Sequence, residues 1–125
     1  MMAGTLNKVQ IIGSVGRDAE GRYTPSGTPV TTFSVATNRR GKDGADETEW
    51  FTVVAWEKLA ETCNQYVKKG LKVYVEGRLQ TRTWDDKDGQ KKSRTEVIAN
   101  QVIFLSPKAN GTSDVEEASP EDLPF

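Results

Sequence analysis

Residues 48–84 read TEWFTVVAWEKLAETCNQYVKKGLKVYVEGRLQTRTW, and a change of period inside this stretch decides the fold. At its start Phe51, Val53 and Ala55 fall on one parity, while Thr48, Trp50, Thr52, Val54 and Trp56 fall on the other. Successive side chains of a strand point to opposite faces, so the first set reads as core and the second as the outer face. The alternation returns after Gly70. Val73, Val75, Gly77 and Leu79 read as core, and Tyr74, Glu76, Arg78, Gln80, Arg82 and Trp84 face away. Between these strands Leu59, Cys63 and Tyr66 or Val67 recur at helical spacing. The spacing predicts a helix within EKLAETCNQYVKKG, with Lys68 and Lys69 in its last turn and Gly70 as its stop. Cys63 is expected in the core, because a free cysteine packs as a small hydrophobe.

Outward from this stretch the period stays near two. Val9, Ile11, Gly13 and Val15 share a face in KVQIIGSVG, and Phe33 and Val35 share one in VTTFSVAT. The segment TEVIANQVIFL is rich in the β-branched residues that suit strands. Five strands are therefore expected, at about 6–16, 29–38, 47–56, 71–84 and 94–105. The turns are TPSGTP, NRRGKDGADE and DDKDGQKKS, the last carrying the hairpin signal Asp88-Gly89. Five strands with one helix between the third and fourth make an all-β chain of the OB-fold pattern, a Greek-key barrel. Closure also removes the edges that a small open sheet would expose.

The charge is uneven along the chain. Of 125 residues with a net charge of −1, the segment 109–125 holds five acids and neither Lys nor Arg. Residues 1–108 then carry 17 bases against 13 acids, a net of +4. A basic body suggests a polyanionic partner, and an acidic tail suggests a separate role. The expected organisation is a barrel domain over 1–108 and a disordered acidic tail over 109–125. No membrane span, signal peptide or transit peptide is expected, and the lone Cys63 cannot form an internal disulfide.

All three tryptophans, Trp50, Trp56 and Trp84, fall on outer faces. Trp50 and Trp56 lie roughly 20 Å apart at ~3.3 Å per residue. Outward tryptophans need a reason, and two are available: a subunit interface, or platforms on which nucleic-acid bases stack. Two basic hairpins favour the second. Arg39, Arg40 and Lys42 lie in one, and Lys91, Lys92 and Arg94 in the other. Such cations neutralise phosphates and release counterions.

Catalytic and metal chemistries find little footing. The chain has no His and one Cys. Aligned as a calcium loop, WDDKDGQKKSRTE puts Trp84 and Thr95 where acids are required. GSVGRDAEG lacks the lysine of a P-loop. A nuclease built on Asp85, Asp86 and Asp88 would show itself as metal-dependent strand cleavage. No metal, cofactor or small-molecule substrate is expected.

NKVQIIGSVGRDAEGRYTPSGTPV, TEWFTVVAWEKLAE, YVKKGLKVYVEGRLQTRTW and the terminal EDLPF, taken in order, resemble the bacterial-type single-stranded DNA-binding proteins. The resemblance covers about residues 4–108 and resumes at the last five. It implies an OB-fold homotetramer in the cytoplasm, associated with the nucleoid. Such a protein is not an enzyme. It would bind single-stranded DNA without sequence preference in replication, recombination and repair. The family's stacking aromatics fall on Trp50, Trp56 and Trp84, and its basic contacts on Lys8, Lys58, Lys69, Arg78 and Arg82. The tip Glu121, Asp122, Leu123, Pro124 and Phe125 would dock into partner replication and repair proteins.

Two departures stand out. Where many members carry a loop aromatic, this chain has Arg39 and Arg40 before Gly41, which predicts less stacking and a steeper salt dependence. The linker, about 109–120, is short for the family, with an r.m.s. span of roughly 20 Å. The competing reading is a protein-assembly module similar to primosomal replication proteins, with the tryptophan face as a protein interface. That branch lacks the acidic tip.

Overall fold

The computed structural model describes residues 4–105. The expected tail, from 109 to Phe125, lies outside the described residues. Along the chain the elements are β1 (Val9–Val15), β2 (Glu20–Tyr23), β3 (Pro29–Arg40), β4 (Asp46–Trp56), α1 (Glu57–Tyr66), β5 (Lys72–Asp85) and β6 (Lys91–Phe104). The sheet order is β1-β5-β6-β4-β3-β2, and a further pairing of β1 with β3 closes it. The five long strands form the barrel foreseen from the sequence, with the helix between the third and fourth of them.

Closure rests on a short contact. Ser14 and Val15 pair with Ala36 and Val35. Gly13 sits where a Cβ would strike the Ala36 carbonyl, so only glycine lets β1 approach β3 this closely. The core is built from small branched side chains. Val35, Val53, Val73 and Val75 are fully buried, and Phe33 nearly so. Each buried Val or Phe contributes about 1.5–3 kcal/mol through loss of apolar surface from water.

Helix α1 plugs one end of the barrel with Ala60 and Cys63, and Val67 follows at its C-cap. Inside the barrel Thr31 donates its hydroxyl to the Ala60 carbonyl at 2.7 Å, which ties helix to sheet and satisfies a buried polar group. Cys63 is buried as expected, and burial pushes its thiol up to about 11. Tyr66, one of the two candidates for the inward face, is exposed, and Val67 takes the inward position.

Four expectations need correction. The helix ends at Tyr66, so Lys68 and Lys69 lie beyond its last turn, although Gly70 does take a left-handed φ of 87°. The strand β2 went unforeseen because all four residues of EGRY are exposed and show no apolar alternation; its pairing with β3 makes it a strand. The strands also run further into the charged segments than expected. β3 reaches Arg40 and β6 begins at Lys91, because solvent on both faces leaves no apolar alternation to read there. Finally, Leu79 is not core. It is 43% exposed, at the point where β5 and β6 leave the barrel as a projecting arm.

Candidate nucleic-acid interface

Strand register assembles one outer face. Arg78 pairs with Ile98, Ile98 with Val54, and Val54 with Thr32. Trp56 pairs with Val30, and Val30 with Arg22. Directly opposed residues share a face, so side chains from β5, β6, β4, β3 and β2 converge. They line an open groove of about 810 Å³. Val30, Val54 and Ile98 line its apolar part, and Trp56, Tyr23, Arg22, Arg78, Gln80, Arg82 and Glu96 add the aromatic and polar groups. Val54, read from sequence as outward, is nonetheless buried on this face.

The three tryptophans all point outward, with Trp50 59%, Trp56 43% and Trp84 38% exposed. Their settings differ. Trp56 ends β4 against the groove, just before α1. The residue that turns the chain there, Glu57, has a φ of 54°, a left-handed conformation rare for a side chain with a Cβ. Trp50 pairs with Ala36, and its ring lies over Gly16, where a Cβ would come within 2.5 Å of the indole. Trp84 is out on the arm, opposite Lys92. The Arg82 guanidinium carbon lies 5.4 Å from the Trp84 ring centroid and that of Arg94 5.9 Å, both within cation–π range.

The structure sorts the sequence-derived cations into two groups. Arg78 and Arg82 line the groove beside Trp56, and Arg78 donates to Gln80 at 3.2 Å. Lys8, Lys58, Lys69, Arg39 and Arg40 do not line it. Lys58 lies two residues beyond Trp56 in the first turn of α1 and is exposed. Lys69 follows α1, where its backbone N–H donates to Asp18 at 2.9 Å. Arg39 and Arg40 end β3 opposite Glu47 and Asp46, and Arg39 is paired with Glu47 at 2.9 Å. On the arm, Lys91 faces Asp85 at 3.8 Å and Lys92 faces Asp86 at 3.7 Å. Exposed pairs of this kind are worth about 0.2–1 kcal/mol, so a phosphate can displace the acid at little cost.

Lys8 belongs to a different surface. Its ammonium lies 3.2 Å from Glu76, which also accepts from the Tyr74 hydroxyl at 2.6 Å. Those hydrogen bonds, Tyr74 first and Lys8 second, hold the Glu76 carboxyl below its ordinary value. Gln10 in turn donates to the Tyr74 hydroxyl at 3.0 Å.

Sequence reasoning missed Arg22, Tyr23 and Glu96. Tyr23, 69% exposed, adds a second aromatic group to the groove, beside Trp56. An arginine beside a tyrosine just before a turn was the available signal. Glu96 had none, because an acid in a basic face is not expected.

A barrel of this topology with a groove of aromatic and guanidinium side chains defines an OB-fold of the nucleic-acid-binding class. The comparisons then specify the family. Residues 6–105 match the Single-strand binding protein family. The chain is 50% identical over 120 residues to Single-stranded DNA-binding protein 1 of Chlorobaculum tepidum, covering 90% of this chain and 74% of that one. It is 45% identical over 117 residues to the Single-stranded DNA-binding protein of Caldanaerobacter subterraneus, covering 90% and 78% respectively. Among solved structures, the Plasmodium falciparum SSB complex with ssDNA superposes with a TM-score of 0.76 at 35% identity, covering 85% of this chain and all of that one. The chain belongs to the single-strand binding protein family.

Proposed function

We propose that this protein binds single-stranded DNA without sequence preference, by stacking bases on Trp50, Trp56 and Trp84 and neutralising phosphates beside them. The observation that carries this reading is the groove in which Trp56, Arg78 and Arg82 meet over an apolar floor. Every base offers a π-face, so such platforms are indifferent to sequence. Tyr23 and Arg22 extend the same path, the paired Arg39, Lys91 and Lys92 exchange their acids for phosphate as the strand passes, and Arg40 adds its charge beside Arg39. Lys58 lies beside the Trp56 end, whereas Lys8 and Lys69 are more distant contributors. The role is binding, not catalysis.

The biological setting follows from family membership. The protein would coat single strands exposed during replication, recombination and repair in the bacterial nucleoid. Its tip, Glu121 to Phe125, would recruit partner proteins, with Phe125 filling an apolar pocket.

A homotetramer is also part of the proposal. Two features support it. The pairing of β1 with β3 covers only Ser14 and Val15, so the rest of the β1 edge away from β5 has no paired strand among the described residues. The outer face of β1, β5 and β6 carries Ile12, Tyr74 and the 42% exposed Ile103 around the Glu76 cluster.

Titration of the intrinsic tryptophan fluorescence with oligo-dT over a range of salt tests the function. Saturable quenching that weakens as salt rises is expected. No quenching, or binding insensitive to salt, would remove the proposal. Deletion of Phe125 should leave this titration unchanged while abolishing capture of the partner proteins.

A further inference from the structure

Glu96 is the anomaly of the interface. It is the only buried acid among the described residues, 6% exposed, and it lines a groove otherwise furnished with guanidinium groups. Its cross-strand partner is Gln80, and Arg82 lies on the same face two residues further along β5. Glu96 Oε2 accepts from Arg82 Nη2 at 3.3 Å, and the same guanidinium sits 5.4 Å from the centroid of Trp84.

The register crowds two cations at this point. Arg82 is directly opposite Arg94, and like charges facing each other across an antiparallel pair repel. Both guanidinium carbons lie within 6 Å of the one indole ring. The carboxylate is the charged group that anchors Arg82 in that crowded place. The Glu96 side chain is 8% exposed, against 50% for Glu47, 66% for Asp85 and 25% for Asp86, so solvent screens its end of the pair least, although the Arg82 side chain remains 56% exposed.

We infer that Glu96 is a positioning residue for strand binding: it clamps Arg82 against Trp84, so that Arg82 shapes the Trp84 stacking platform and is not itself spent on a phosphate. This rests on the single-stranded DNA reading above. Its consequence is quantitative. A cation that neutralises one phosphate of a single strand contributes about −0.7 to the slope of log K against log salt. Arg82, already neutralised by Glu96, adds almost nothing to that slope. In Glu96→Gln the amide keeps the size of the side chain but removes its charge, and Arg82 becomes available to a phosphate.

The test measures oligo-dT affinity across a tenfold range of salt for the wild type, Glu96→Gln and Arg82→Gln. Glu96→Gln should bind more tightly at low salt and lose about fivefold more affinity than the wild type over that range, one extra phosphate. Arg82→Gln should keep the wild-type slope. In a Trp50→Phe, Trp56→Phe background, where Trp84 is the sole reporter, both substitutions should shift the DNA-free emission. A Glu96→Gln slope equal to the wild type, or an Arg82→Gln slope shallower by about 0.7, overturns the inference while leaving the DNA-binding function standing. Should Glu96→Gln not fold, the Arg82→Gln slope still decides the matter. Failure of the wild type to bind oligo-dT at all would overturn both.

Discussion

Strand β5 runs through two different environments, and its two halves behave differently under one sequence pattern. In the barrel half Val73 and Val75 are fully buried. In the arm half, beyond the irregularity at Glu76 and Gly77, every residue from Arg78 to Asp85 is exposed. Leu79 continues the parity of Val75 yet remains 43% exposed. Alternation says which way a side chain points; a second layer opposite it decides whether pointing that way buries it. The barrel half packs into a core shared with β3, β4 and α1, whereas the core-parity face at Leu79 meets no such layer, and Asn7 bonds only its backbone there.

The contrast is most easily broken by mutation in the body. Phe33→Ala should cost about 3–5 kcal/mol in urea unfolding, as expected for deleting a buried aromatic ring. Thr83→Ala on the arm should stay within about 0.5 kcal/mol of the wild type. Equal effects would mean that the arm packs against something in solution.

Function should divide the other way. Trp84→Ala should weaken oligo-dT binding by about 1–3 kcal/mol while barely moving the melting temperature. Trp56→Ala, at the groove, should lose comparable affinity but also some stability, since Trp56 stands directly opposite the buried Val30 across the β3–β4 pair. A Trp84→Ala protein with wild-type affinity would remove the arm from the interface.

Two smaller effects sharpen the same division at its borders. Glu57→Gly should stabilise the protein by about 0.5–1 kcal/mol, because glycine adopts the left-handed φ of 54° without the Cβ clash and gives back part of that gain as chain entropy. A loss of stability would mean that the Glu57 side chain contributes more than its backbone costs. Gly16→Ala should displace the ring of Trp50 and reduce oligo-dT affinity severalfold with little change in melting temperature, since that ring is largely exposed. Unchanged affinity would show that the seat of Trp50 over Gly16 is unimportant to binding.

Much of this was legible in the linear chain. The switch from period two to helical spacing and back between Trp50 and Trp84 located β4, α1 and β5, and with the alternation of the flanking segments it pointed to the barrel class. Parity alone placed all three tryptophans outside, because a strand has only two faces. The basic segments were visible too, but not their pairing. That Arg39 faces Glu47, and Lys91 faces Asp85, depends on cross-strand register, which residues so exposed do little to encode.

What the tertiary structure alone decided is the composition of the groove. Tyr23 and Arg22 enter it because a four-residue strand without a hydrophobic pattern pairs with β3. Glu96 enters it because β6 lies between β4 and β5, bringing a carboxylate next to Arg82 across 14 residues of sequence. Local sequence fixes the direction of each side chain through backbone geometry. Contacts between distant strands depend on closure of the whole barrel, which no single segment specifies.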